Sequence, residues 1–324
     1  MMKLLQKAVI AAGIVVAVGS QVQAQDWPSK PIELVSVGAA GGSTDNVWRV
    51  IADSVTKTLG QAIAVNYKPG GGGHIAGEYT ARQPADGYSF MLTTIHTHGI
   101  TPNIYKSLKY NPIEDLRGVA RLVTLPNVLY ANSNLPINSV QNLIAYAKAN
   151  PGKINYASSS LGASTHMSMV LFSQKAGIEM NHIPYKASAP AVQGILSGEA
   201  DISFENLSAV MSQISAKTVK ALAVSSAKRW PELPDVPTVA EAGLPGFEVS
   251  SWFGIVAPKG TPDAIVDKFS AAVEAALKDP ANAQKMHMIG AEAAYLGPTD
   301  MDKMIREEVG RWKPVVEASG VKPE

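Results

Sequence analysis

Short apolar runs alternate along this chain with longer stretches whose apolar residues recur every three or four positions. The first pair sets the pattern. Ile32 to Val37 reads as a buried strand. After a bend of small residues, Val47, Val50, Ile51, Val55 and Leu59 share one face of a helix that Gly60 ends, with Ser43 as its expected N-cap. The arrangement recurs where the strand Ile154 to Ala157 runs through the loop 158–166 into a helix of Met167, Val170, Leu171 and Phe172 that stops near Gly177. It recurs again where His182 to Tyr185 leads to a helix with Ser188 as expected cap, Pro190 in the first turn and Gly198 as stop. Further strands are expected at 62–65, 88–92, 128–131, 201–205 and 219–225, and an extended segment at 247–256. Ser139 should cap a helix ending at Asn150-Pro151-Gly152, and a short helix should follow Asn206. Thr261-Pro262-Asp263 should start one with inner face Ile265, Val266, Phe269, Val273 and Leu277, and a last helix should span 299–319. The proline-dense segment 231–238 reads as a rigid surface loop.

Strand, small-residue loop, helix N-terminus is an arrangement that holds anions. The first-turn N–H groups have no partner inside the helix, and the helix dipole favours negative charge there. Gly41 and Gly42 let the backbone approach a ligand closely. The same geometry also serves as a plain tight turn, and its recurrence is what favours binding. Residues 71–76 match G-x-G-x-x-A, but no acid closes the strand 88–92 where a ribose partner belongs, which argues against a dinucleotide. The Gly70–Gly73 run is better explained by backbone passing close to another element.

The start of the chain carries different chemistry. Lys3 and Lys7, the apolar run Ala8 to Gly19 and the small-x-small triplet Val22-Gln23-Ala24 predict a secretory signal peptide cleaved after Ala24. Loss of Lys3 and Lys7 takes 28 basic residues to 26 against 27 acidic ones, a net charge of −1 for the exported chain. With no basic run, nucleic acid is not an expected partner. The absence of cysteine excludes thiolate catalysis, cysteine-bound zinc and a lipid anchor at the cleavage point. The length of 324 residues suits about two domains. His96 and His98 follow the strand 88–92 without a third ligating side chain within ten residues, so a ligand hydrogen bond is weighed ahead of a metal. G-x-S-x-G, H-E-x-x-H and a well-placed S-x-x-K are missing, and acids are sparse in the loops. Ser158 to Ser160 with His166 nearby keep an exported serine hydrolase as the alternative reading, with a purely interaction-based role behind it.

These segments together resemble the tripartite tricarboxylate transporter receptor family, the TctC or Bug extracytoplasmic solute receptors. The resemblance rests on Trp27-Pro28, Gly41-Gly42 with Asp45, Pro69-Gly70 to Gly73, Ala85-Asp86-Gly87-Tyr88, the Ser158 to His166 loop and Pro184-Tyr185-Lys186. Gly198 to Asp201, Pro234-Asp235-Val236-Pro237-Thr238 and Trp252-Phe253-Gly254 complete it, covering almost all of the exported chain. It implies an α/β fold of the type II periplasmic binding protein kind, with two α/β lobes joined by two crossing strands near Pro126 and Val249. Residues 25–126 with 250–324 would form one lobe and 127–249 the other. It also implies a monomeric periplasmic receptor without catalysis, cofactor or metal, which closes on a small mono- or dicarboxylate and delivers it to membrane permease subunits. Backbone amides, hydroxyls and waters would hold the carboxylate with no arginine clamp, and loops 38–45, 93–98 and 158–166 contain no Arg or Lys. The expected ligand-binding residues are Gly41, Gly42, Ser43, Thr44, Asp45, Thr94 and His96 from the first lobe. The second lobe would supply Ser158, Ser159, Gly162, Ser164, Thr165, His166 and Glu205. Two departures from the family pattern are Ser36-Val37-Gly38-Ala39-Ala40, where relatives carry an aromatic and a proline, and Glu205, where many carry Asp.

Overall fold

A computed structural model describes residues 27–105, 107–319 and 321. The expected signal peptide and its cleavage point lie outside the described residues. The elements in order are β1 (Ile32–Ser36), α1 (Ser43–Leu59), β2 (Ile63–Tyr67), α2 (His74–Ala81), β3 (Ser89–Thr94), α3 (Thr101–Ile104) and β4 (Leu116–Asn132). Then come α4 (Val140–Ala149), β5 (Asn155–Ser158), α5 (Ser164–Ala176), β6 (Asn181–Pro184), α6 (Ser188–Ser197), β7 (Ile202–Asn206), α7 (Leu207–Ser215) and β8 (Val219–Val224). The chain closes with β9 (Ser250–Pro258), α8 (Asp263–Lys278), α9 (Pro280–Met288), β10 (Glu292–Leu296) and α10 (Pro298–Ser319). A tight turn at Gly71–Gly73 precedes α2, and a wide turn with i→i+5 geometry, His96–Ile100, precedes α3.

The strand β4 belongs to two sheets. Up to Pro126 it runs antiparallel to β9, which in turn pairs antiparallel with β3; β1 lies parallel between β3 and β2, and β10 also pairs with β4. From Asn127 onward β4 pairs antiparallel with β7 and β8, and β5 and β6 extend β7 in parallel. The chain returns to the first sheet where Ser250 pairs with Pro126. Ser225 ties the outgoing and returning segments together. Its Oγ accepts from the Asn127 amide at 2.8 Å and donates to the Val249 carbonyl at 2.5 Å, and its carbonyl accepts from the Val249 amide at 3.0 Å. One apolar cluster runs through both halves, from Val35 and Met91 to Phe172 and Phe204, and each half adds packing of its own. Phe90 stacks on Phe269 at 4.2 Å beside Trp48 and Ile51 in the first half, and Phe172, Phe204 and Phe247 form an aromatic group in the second. Each such buried side chain contributes roughly 1.5–3 kcal/mol.

Ser139 caps α4 by accepting from the Asn142 amide at 3.1 Å. Ser43, Ser188 and Thr261, also expected as caps, are not. The cap positions are Gly42, Ala187 and Pro262, none with a side-chain cap bond. The helix α9 escaped the periodicity reading although Asp279 caps it, accepting from the Ala281 and Asn282 amides ahead of Pro280. The half-buried strand β10 gave no alternation to detect.

Candidate ligand-binding cleft

The loops at the carboxyl ends of β1, β3, β5, β6 and β7 meet in one cleft between the two sheets. It encloses about 560 Å³ of space free of protein atoms, part of it open to solvent. The helices α1, α5 and α6 start at its wall. Their cap positions, Gly42, Ala163 and Ala187, all line the cleft and lack a side-chain oxygen that could occupy the first-turn amides. A cap of Ser, Thr, Asp or Asn would satisfy one of those amides. Here they are left for whatever fills the cleft. One position on, Ser43, Ser164 and Ser188 add hydroxyls to the same wall.

The cleft is electrostatically suited to an anion. Among the described residues no carboxylate lines it. His96 lines it from the wide turn after β3. Burial, opposed by the Leu161 carbonyl, holds its pKa down to about 4, so the ring is neutral at ordinary pH. Among the described residues, the cation on the wall is Lys186, an exposed side chain in the β6–α6 turn. The halves touch across the opening. Ser43 Oγ lies 3.4 Å from Ser188 Oγ and 3.5 Å from Asn206 Nδ2, and Asn46 Nδ2 donates to the Ser208 carbonyl at 2.8 Å.

Of the residues expected from sequence, Gly42, Ser43, Thr44, Thr94, His96, Ser159 and Ser164 line the cleft. The others stand behind it. Asp45 is turned away from the cleft: Oδ1 accepts from the Tyr67 hydroxyl at 2.6 Å, and Oδ2 from the Gly41 amide and Arg49 Nε, both at 2.8 Å. Burial pushes its carboxyl up, but Tyr67, Gly41 and Arg49 outweigh burial and hold it below the usual range. Gly41 thus serves as the tether of its loop, not as a wall residue. Ser158, the last residue of β5, is fully buried; its Oγ donates to the Ser160 carbonyl at 3.1 Å and meets His182 Nε2 at 2.7 Å. Thr165 Oγ1 accepts from the Ser159 amide at 3.1 Å, and His166 Nδ1 accepts from the Gly162 amide at 3.0 Å. These bonds shape the loop 158–166 from beneath. The His166 ring stacks on His182 at 4.1 Å, and burial, then His182 and His96, push its pKa down to about 3. Gly162 has φ +73 and sits against Ile104 Cδ1, 2.0 Å from where a Cβ would stand, so only glycine fits. Glu205 lies fully buried under the cleft, not on its surface.

Ser158 with His182 is a serine–histidine pair, but it does not face the cleft: Ser158 has no exposed surface and is not on the wall. No group of three or more His, Asp or Glu side chains that could hold a metal occurs among the described residues. The reading from sequence missed Gly70, Gly72, Gly73, Thr97, Ser160, Lys186, Ser188, Asn206, Ser251 and Phe253, all on the wall. The signal for the glycines was their run of four, all of which have positive φ. Gly73 must stay without a side chain because Thr97 Cγ2 is 2.0 Å from its Cβ position.

The structure of R. palustris Rpa4515 with adipate is similar at 37% identity, covering 92% of this chain and 100% of that one, with a TM-score of 0.89. The periplasmic binding protein BugD is similar at 35% identity over 92% of this chain and 100% of its own, with a TM-score of 0.88. MatC (Rpa3494) from Rhodopseudomonas palustris, solved with bound malate, is similar at 31% identity over 90% of this chain and 100% of its own, with a TM-score of 0.83. The α/β architecture is that of periplasmic binding proteins of this type. Residues 47–321 match the family described as "Tripartite tricarboxylate transporter family receptor" (TctC), and the chain belongs to that family.

Proposed function

We propose that this protein is a periplasmic receptor that captures a small organic mono- or dicarboxylate and delivers it to the permease subunits of a tripartite tricarboxylate-type transporter. The observation that carries this reading is the meeting of three helix N-termini without side-chain caps on one cleft that, among the described residues, no acid lines. Those open amides, with Ser43, Ser159 and Ser164 beside them, bind carboxylate oxygens; His96, being neutral, adds no charge to the wall. Adipate and malate in the related structures support the ligand class. In this reading the chain is exported, cut after Ala24 and monomeric. Residues 25–126 with 250–324 move as one lobe and 127–249 as the other, with the hinge at the Ser225 stitch. In this reading the protein binds without turning its ligand over; among the described residues no paired carboxylates line the cleft.

A thermal-shift screen of organic acids, followed by calorimetry, tests the proposal. Aliphatic or aromatic carboxylates should raise the melting temperature, and their neutral amides should not. A screen in which no acid shifts the transition, or in which an ester is hydrolysed at the cleft, would overturn it.

A further inference from the structure

Glu205 lies directly beneath the wall just described and has no exposed surface. Its Oε1 accepts from Ser188 Oγ at 3.0 Å and from the Asn206 amide at 2.8 Å, and both of those residues line the cleft. Its Oε2 has no partner among the described residues. The elements around it supply no counter-charge. The helices α6 and α7 pack against β7, and neither contains a titratable side chain. The strand β4 places Val128 opposite Glu205 and brings Tyr130, whose buried hydroxyl also lacks a partner among the described residues. On β5 and α5 stand Tyr156 and His166, stacked with His182. Across the cleft α1 carries Asp45 and Arg49, which pair with each other, and Lys186 is exposed at the rim. Burial, only partly offset by Asn206 and Ser188, pushes the Glu205 carboxyl up to about 7. A second negative charge arriving in the cleft makes the ionised form costlier still, because like charges in a poorly solvated site disfavour each other.

We propose that the receptor takes up its carboxylate together with one proton, which comes from solvent, resides on Glu205 while the cleft is filled and returns to solvent when the ligand leaves. This rests on the carboxylate-capture reading and adds the proton to it. Capture then tightens on the acidic side of neutrality, and ionisation of Glu205 favours release.

The test is calorimetry with adipate at about pH 6, 7 and 8, each in two buffers of different ionisation heat, on wild type and Glu205→Gln. Adipate is fully ionised at the upper two values, as carboxylates have ordinary pKa values near 4. Wild type should take up close to one proton per ligand at about pH 8 and much less at about pH 6. Its Kd should rise roughly tenfold per pH unit above neutrality. In Glu205→Gln the uptake and the slope should vanish. Should that variant not fold, infrared difference spectra of wild type carry the test: adipate added at about pH 8 should produce a protonated-carboxyl band. Adipate binding with no proton uptake, equal uptake in both proteins, or no such band would overturn the proton proposal and leave carboxylate capture standing. Failure of adipate and of every acid in the screen to bind at any of these pH values would overturn both.

Discussion

Ala163→Asp separates helix stability from ligand capture, because the structure gives the two effects opposite signs. Ala163 is the N-cap residue of α5, has an extended backbone at φ −61 and ψ 160, lines the cleft and makes no side-chain cap bond. An Asp carboxylate there reaches the amides of the first turn. Replacing a non-capping residue by Asp at such a position stabilises a helix by ~0.5–2 kcal/mol. The same amides are the groups assigned to the ligand carboxylate. Charge-assisted hydrogen bonds contribute ~1.5–3 kcal/mol each, so occupying two of them removes ~3–6 kcal/mol of binding. At 1.4 kcal/mol per decade this is a loss of about 10²–10⁴ in affinity, before repulsion between two carboxylates is added. The ligand-free melting temperature should not fall by more than about 3 °C, since 1 kcal/mol corresponds to ~2–4 °C in a domain of this order of size. Ala163→Asn, which competes for the amides without a charge, should lie between wild type and Ala163→Asp. The assay is calorimetry with the tightest acid of the screen, alongside melts without ligand. If Ala163→Asp bound within threefold of wild type while remaining folded, the α5 N-terminus would not be part of the site.

Three further outcomes follow from the same geometry. Glu205→Gln should become more stable than wild type as pH rises: the buried carboxyl keeps its proton up to about pH 7 against 4.5 ordinarily. Its contribution to wild-type stability is therefore full below about pH 4.5 and lost by about pH 7. The difference grows to the order of 3 kcal/mol over that window and then stays level in urea titrations. Asp45→Asn should cost ~1–3 kcal/mol at neutral pH by weakening the Gly41, Arg49 and Tyr67 bonds. Because the Asp45 carboxyl titrates below its ordinary 3.8, that cost should persist above this pH and shrink as pH falls below it. Ser225→Ala removes the hydroxyl that joins Asn127 to Val249 and should cost ~1–3 kcal/mol in chemical melts while raising the ligand-free radius of gyration in X-ray scattering.

The strand–loop–helix pattern was legible because period and punctuation agree: Val47 to Leu59 and Met167 to Phe172 mark helix faces, and Gly60 and Gly177 end them. Ser43, Ser159 and Ser164, which it singled out, lie on the wall of the cleft. The starts of α1 and α6 were placed one residue late on the cap position because N-cap preference points to a hydroxyl residue, whereas this cleft has Gly and Ala at its caps. Within a loop, sequence does not say which side chain faces the ligand. Ser158 and Ser159 are neighbours, yet the pleat of β5 sends the first inward to His182 and leaves the second on the wall. Lys186, Asn206 and Ser251 come to the cleft through the pairing order of the strands, which no local pattern encodes. Glu205 was expected among the ligand-binding residues from the family resemblance; that it lies buried beneath the wall, isolated from any cation, depends on which helices cover β7.

The way this cleft must work is set by magnitudes. A helix N-terminus contributes at most ~2 kcal/mol to a partly buried anion, so three supply ~6 kcal/mol or less. A micromolar ligand needs ~8 kcal/mol net of the cost of association. The remainder has to come from hydrogen bonds strengthened by excluding water, which means from closure itself. The polar contacts at the cleft itself are uncharged: Ser43 with Ser188, Asn206 with Ser43, Asn46 with Ser208. Away from the cleft, His287 lies 3.6 Å from Glu232 and stacks on Trp230. In the proposed mode of binding, the carboxylate would touch amides of α1 from one side and of α5 and α6 from the other, adding a link between the halves at the cleft itself, and closure would follow its arrival. A guanidinium clamp would hold the anion more tightly but would hold it equally well at the moment of delivery. Neutral donors, whose strength depends on the cleft being shut, lose their grip once the halves part, which is what a receptor that must hand its cargo on requires.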